Sequence, residues 1–239
     1  MPPRAIFFDL DDTLLDTSGG VDEAWRLTCE QFGPALGVEA GLLRETIRRE
    51  ATEFWKDEAA VGHWRIRLME ARILVVELAL KALDLNRAHA MPIAEMMESE
   101  RTARLRLFDD TVETLDWLRA SSFRLALITN GPAELQRSKL AAFPIDRYFE
   151  AVVIEGEFGA GKPDPSVFLH ALKVTGSAPE DAWHVGDNLY ADIGGAQGVG
   201  SQGVWIHRDR LERKPGDGPT PDRVIGHLAE LREALAALA

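Results

Sequence analysis

The apolar positions of this chain fall into two regimes. Ala5-Ile6-Phe7-Phe8 is an unbroken apolar run that stops at acids, the pattern of a strand buried on both faces. From about Thr17 to Leu105 the spacing turns helical: Ile66, Met69, Ile73, Val76, Leu80 and Leu83 recur three or four residues apart, one apolar stripe along a helix. Gly33-Pro34, Gly37 and Met91-Pro92 punctuate this block, which reads as roughly four helices without a strand. Beyond Asp109, strands and helices alternate. Apolar runs at Phe123–Ile128, Ala151–Ile154, Ala182–Val185 and Gly203–Ile206, with a shorter one beginning at Val224, predict strands. Helices are predicted from Asp110 or Thr111 to Ala120, from Pro132 to Ala142, from Asp164-Pro165 to Val174, from Leu189 to Gln197 and from Leu228 to Leu238.

This alternation predicts an α/β fold, a Rossmann-like parallel sheet flanked by helices. The helical block between the first strand and the rest is then an insertion. The expected division is residues 1–16 and 106–239 as the α/β core and residues 17–105 as a second, all-helical domain.

Composition narrows the partners. The 239 residues carry a formal charge of −12, which argues against nucleic acid or an anionic membrane as the main partner. An apolar fraction of 46% excludes a disordered chain, and no apolar run nears the ~18 residues of a membrane span. The apolar stretch before Asp9 is too short for a signal peptide, and Cys29, the single cysteine, allows neither an intrachain disulfide nor a cysteine zinc cluster. A soluble, cytoplasmic monomer or homodimer is the expectation.

Two glycine patterns mislead. Gly156 to Lys162 matches the front of a phosphate-binding P-loop, but Pro163 stands where a hydroxyl should bind the metal, and it disfavours helical geometry at Lys162. Gly198, Gly200 and Gly203 match a dinucleotide fingerprint, yet a predicted helix precedes them and a strand comes after, the reverse of what that fingerprint needs.

Candidate chemistry lies at the strand ends, where open parallel sheets bind ligands. The first strand leads into Asp9-Leu10-Asp11-Asp12-Thr13, the second into Thr129-Asn130-Gly131, the third through a loop to Lys162-Pro163-Asp164, and the fourth into Gly186-Asp187-Asn188, with Asp192 five residues beyond Asp187. Carboxylates so close repel unless a cation joins them, and an oxygen-only set suits a hard ion such as Mg2+. Thr129 and Lys162 suit a phosphate instead, as a hydroxyl donor and a point charge. Metal, phosphate and a free carboxylate together are the requirements of phosphoryl transfer.

The four segments, in this order and at these strand ends, resemble the four motifs of the haloacid dehalogenase-like (HAD) hydrolase superfamily. ITNGPAELQ, GKPDPSVF and HVGDNLYADI are most similar to its small-molecule phosphatases, and the helical insertion then corresponds to a cap. The resemblance implies roles. Asp9 is the nucleophile that becomes an aspartyl-phosphate. Asp11 is the general acid and then the base, and its carbonyl joins Asp9 and Asp187 around Mg2+. Thr129 and the Asn130 backbone hold the phosphoryl oxygens, and Lys162 neutralises charge on nucleophile and phosphate. Asp192 orders Lys162 or a metal-bound water from behind, and Thr13 fixes the loop. Asp12 stands where many relatives have glycine.

The implied reaction is hydrolysis of a small phosphorylated metabolite. A phosphomutase would use the same residues; a 2-haloacid dehalogenase would need neither Asp11 nor the metal position Asp187; a non-catalytic binding module would have lost an acid or the lysine. Linkers near Asp16–Gly20 and Leu105–Asp109 would let the cap move. Structural readings are favoured elsewhere: Asp164 as a helix cap, His184 as a core histidine, Trp25, Trp55 and Trp64 as packing residues, and Arg208–Pro221 as a surface connection.

Overall fold

The computed structural model describes residues 2–56, 63–208 and 218–238, so 209–217 of the Arg208–Pro221 connection lie outside the described residues. The chain divides into two compact units, one of Met1–Asp16 with Arg106–Ala239 and one of Thr17–Leu105. Among the described residues, no helix is long and apolar enough to cross a membrane.

The first unit is built on a six-stranded sheet. Its strands are β1 (Ala5–Phe8), β4 (Arg124–Thr129), β5 (Ala151–Ile154), β6 (Ala182–Gly186), β7 (Gln202–Ile206) and β8 (Arg223–Ile225), in the spatial order β5-β4-β1-β6-β7-β8. All pairings are parallel, with Phe8 level with Leu127 on one side and Val185 on the other. β1 is central, so every one of its side chains is buried, and the chain winds away from it in both directions. That reversal opens a crevice at the carboxyl ends of β1, β4 and β6. Phe7, Ala126, Ile128, Val153, Phe168 and Ala171 fill one face of the sheet. A two-stranded ladder, β2 (Leu15–Asp16) with β3 (Arg106–Leu107), lies where the chain leaves this unit and returns; there Arg106 Nε donates to buried Asp16 at 3.2 Å.

The longer helices among this unit's described residues are α5 (Thr111–Ala120), α6 (Ala133–Ala142), α7 (Pro165–Thr175) and α8 (Leu228–Ala236). Asp164 caps α7 as expected, accepting from Ser166 N at 2.9 Å with Pro165 in the first turn. Asp110 does not cap α5 with its side chain. Its Oδ2 accepts instead from Leu228 N at 2.6 Å and so caps α8, across 118 residues of sequence.

The predicted helix Leu189–Gln197 is not a plain α-helix. Leu189–Gly194 is a π-helical turn, continued by one α turn at Gly195–Gly198. Asn188 caps it, accepting at Oδ1 from Tyr190 N and Ala191 N, while Asp192 reaches back to Asn188 N at 2.9 Å. Widened turns of this kind recur at functional sites.

Among its described residues the second unit has four long helices, α1 (Val21–Leu36), α2 (Ala40–Phe54), α3 (Leu68–Ala82) and α4 (Ala90–Thr102), around a core including Cys29, Leu43, Ile47, Val76, Leu80 and Ile93. Gly33-Pro34 does not end α1. Pro34 is absorbed in the last turn, and Gly37 terminates the helix at φ 69°, left-handed and open to glycine. Pro92 falls in the first turn of α4, where a missing N–H costs nothing. The buried face of α3 is Ala71, Val75, Val76, Ala79 and Leu80; Ile66 precedes the helix and is exposed. The predicted stripe is thus rotated, because alanines at 71 and 79 let neighbouring helices approach where a count of large side chains does not look. Trp55 is 38% exposed rather than packed inside.

Candidate active site

Acid accumulates at the end of β1 because the strand runs straight out of the core. Asp9 N still pairs with Val185 O at 2.9 Å, so Asp9 is held at the sheet edge and is only 7% exposed. Asp12 comes next in the turn at φ 57°, a left-handed conformation that glycine takes freely and aspartate tolerates better than most residues. Thr13 is fully buried; its carbonyl accepts from Arg208 Nη2 at 3.0 Å, whereas its hydroxyl has no partner among the described residues.

Lys162 links two of the acids. Its Nζ, on a side chain 2% exposed, lies 2.6 Å from Asp9 Oδ1 and 2.6 Å from Asp192 Oδ1. Asp192 Oδ1 also faces His184 Nε2 at 3.0 Å. Asp9, Asp187 and Asp192 each offer an oxygen, and these all lie within 4.8 Å of one another. The oxygens of Asp192 are already engaged by Lys162, His184 and Asn188 N, which leaves the Asp9–Asp187 side of the cluster as the better cradle for a hard cation. Gly186 makes room for the cluster, since a Cβ there would collide with the Asp192 carboxyl group. Trp205 Nε1, from β7, donates to Asp187 O at 2.9 Å and fixes that turn.

The electrostatics arise from burial. Burial raises Asp9 well above the usual carboxylate range; Asp192, Asp187 and Asp11 add to this, and Lys162 only partly opposes it. Asp192 is lowered instead: burial works against its charge, but Lys162 and the His184 hydrogen bond outweigh it. Burial also disfavours the Lys162 ammonium, yet Asp192 and Asp9 together push its pKa up. His184 is lowered by burial against the pull of Asp192, and its Nε2 faces the Asp192 carboxylate. It is the core histidine expected from sequence, tied to the site from behind. Its Nδ1 has no partner among the described residues.

The turn after β4 is tied to the lysine loop by Asn130, whose side chain imitates a backbone pair. Its Nδ2 donates to Lys162 O at 2.8 Å and its Oδ1 accepts from Lys162 N at 2.8 Å. Gly131, at φ 120°, turns the chain so that its N–H donates to the buried Glu155 at 3.0 Å.

Two side chains on α6 complete the group, and sequence reasoning passes over both. Lys139, 4% exposed, places Nζ 2.7 Å from both Asp11 oxygens. Gln136 Nε2 reaches Asp11 Oδ2 at 3.1 Å and Asn130 O at 3.0 Å, and donates to the Thr129 hydroxyl. One signal points to them: a helix beside a buried sheet needs an apolar stripe, and AELQRSKLAA puts Gln136 and Lys139 on the buried face with Leu140. The structure therefore joins Asp9, Lys162, Asp192 and Asp187 directly, brings in Thr129, Asn130 and Asp11 through Gln136 and the lysine loop, and leaves the Thr13 side chain outside that network.

Comparison with known proteins gives the family. The profile of the haloacid dehalogenase-like hydrolases matches residues 3–200. A phosphoserine phosphatase of Thermus thermophilus is 34% identical over 97% of this chain and 100% of its own length. A glyceraldehyde 3-phosphate phosphatase of Methanopyrus kandleri is 32% identical over 99% and 98%. Among solved structures, a 2-haloacid dehalogenase of Pseudomonas syringae is 30% identical, with a TM-score of 0.62 over 99% of this chain and 100% of that one. Matched along most of its length and by relatives end to end, the chain is an enzyme of the haloacid dehalogenase-like hydrolase family.

Proposed function

We propose that this enzyme hydrolyses a small phosphomonoester by way of an aspartyl-phosphate on Asp9, with Mg2+ held by Asp9, Asp187 and the Asp11 carbonyl. One observation carries the reading: a buried lysine lies 2.6 Å from a carboxylate whose charge burial disfavours, beside a turn tied to the same lysine's backbone. The site is short of positive charge for its acids, and a divalent cation fits that deficit by charge and by oxygen donor chemistry. When bound, the cation supplies charge that lets a phosphate dianion approach a carboxylate.

The chain's own residues do the rest. Lys162 holds Asp9 Oδ1, which leaves the other oxygen to attack phosphorus in line. Thr129 and the backbone N–H groups after β4 hold the phosphoryl oxygens. As the bond from phosphorus to the ester oxygen breaks, Asp11 gives its proton to the departing oxygen. Asp11 then takes a proton from water, which attacks phosphorus, releases inorganic phosphate and restores Asp9. The helical unit, residues 17–105, would serve as the cap. The names of the two phosphatase relatives support a small phosphate ester as the substrate.

The likeness to a haloacid dehalogenase raises a second reading. Displacing halide from carbon needs no proton for the leaving group and no cation, so Asp11 and Asp187 would stand idle in that chemistry. The deciding assay is release of phosphate from an aryl phosphate, with Mg2+ and with chelator, for the native protein and Asp9→Asn. Turnover is expected only with both Mg2+ and Asp9. Halide release from a 2-haloacid without phosphate release would overturn the proposal.

A further inference from the structure

Asp11 is not left to solvent at the mouth of the site. Its carboxylate, one-third exposed, is met by Lys139 Nζ at 2.7 Å from each oxygen, and Gln136 Nε2 adds a bond at 3.1 Å. An ammonium as buried as Lys139 needs a counter-charge close by, and Asp11 is the carboxylate it pairs with among the described residues. Both donors come from one face of α6, three residues apart, on a helix that would otherwise show carbon to the sheet. Gln136 also bonds Thr129 and Asn130, so the same amide that holds Asp11 holds the turn assigned to the phosphate.

We propose that Lys139 and Gln136 are positioning residues for Asp11. They set the distance and direction from the Asp11 carboxyl to the phosphate turn, and so govern delivery of its proton to the departing ester oxygen. This rests on the phosphatase reading above. A pair that only stapled α6 to the loop after β1 would matter equally for every substrate. A pair that positions an acid matters where the leaving group needs one. An alkoxide does; a nitrophenolate leaves without help.

The test is kcat/KM, which reads transfer to Asp9, for Lys139→Met on an alkyl phosphate and on nitrophenyl phosphate. A loss of about ten- to a hundredfold is expected on the alkyl ester against less than about threefold on the nitrophenyl ester, a fraction of the ~10²–10⁴-fold that a general acid contributes. Lys139→Arg should restore most of the alkyl activity, because it keeps the charge. Asp11→Asn should show the same selective loss, and Lys139→Met added to it should cost nothing more, since Lys139 acts through Asp11. Gln136→Met, which spares the buried charge, supplies a second variant should Lys139→Met not fold; it costs both esters something through the Thr129 turn, and the alkyl ester several-fold more. Equal losses on both esters, or a further loss in the Asp11→Asn background, would overturn the inference while leaving the phosphatase reading intact. A native enzyme that hydrolyses neither ester would overturn both.

Discussion

Replacing Lys162 by methionine keeps most of the side-chain length and removes one charge from the middle of the site. The lysine is 2% exposed and lies 2.6 Å from Asp9 and 2.6 Å from Asp192, so the substitution leaves two buried carboxylates without their shared partner. Removing one member of a buried ion pair costs about 3–5 kcal/mol. For a unit of about 150 residues, each kcal/mol moves the melting temperature by ~2–4 °C, so the loss is on the order of 6–20 °C. The sign with pH is fixed. Without Lys162 nothing opposes the burial that raises Asp9 above the unfolded value of about 3.9, so its share of stability is intact below that pH and is lost as pH rises through the folded value, while Asp192 loses the strongest influence that lowers it. The gap to wild type should therefore be wide at neutral pH and narrow near pH 4. The assay is thermal unfolding by circular dichroism in chelator across that range. Mg2+ should narrow the neutral-pH gap, because it returns positive charge to the cluster, and Lys162→Met/Asp192→Asn should recover part of the loss. A single variant melting within about 2 °C of wild type at neutral pH would refute the reasoning.

Asp9→Asn should act in the opposite sense. Burial, then Asp192, Asp187 and Asp11, raise Asp9, so its ionisation drains stability as pH rises above the unfolded value; the neutral amide escapes this. The variant should melt above wild type in chelator at neutral pH, match it near pH 4 and lose any shift with Mg2+; a lower neutral-pH melting point would count against the electrostatic account. Trp205→Phe removes the bond from Nε1 to Asp187 O, 2.9 Å long and buried. Loosening the support of a metal ligand typically weakens metal binding about 10–100-fold, so with Asp187 in its proposed role the Mg2+ titration midpoint of activity should rise on that scale. An unchanged midpoint would show that Asp187 is placed without the tryptophan.

The sheet could be read from sequence because its strands are continuous apolar runs, and burial on both faces leaves few other ways to place Ala5–Phe8 or Ala182–Gly186. The departures have local causes. Asp110 looks like the cap of the helix it precedes, yet its oxygen goes to Leu228. No window of sequence shows a partner 118 residues away. The turn after Asn188 has helical periodicity, but Asp192 must reach Lys162, His184 and Asn188 N at once, and the backbone widens to allow it.

The site divides along the same line. Asp9, Thr129, Lys162 and Asp187 stand out because each belongs to the end of a strand or the loop leaving it, and parallel strands bring those ends to one edge. Gln136 and Lys139 lie beyond a turn, inside a helix, where polar residues are ordinarily solvent-facing. Only the depth of the helix reveals that they point inward. Lys139 is buried at 4% while Arg137 and Ser138, between it and Gln136, are exposed. A buried ammonium is costly, and natural sequences break the rule of apolar burial chiefly where function needs it. That is why the weight falls on Asp11. Four strand-end motifs carry the proposed holding and attack of a phosphate, but they leave the acid on a loop with a carboxylate one-third exposed. The contacts from α6 supply the one thing that loop lacks, a fixed direction for the proton.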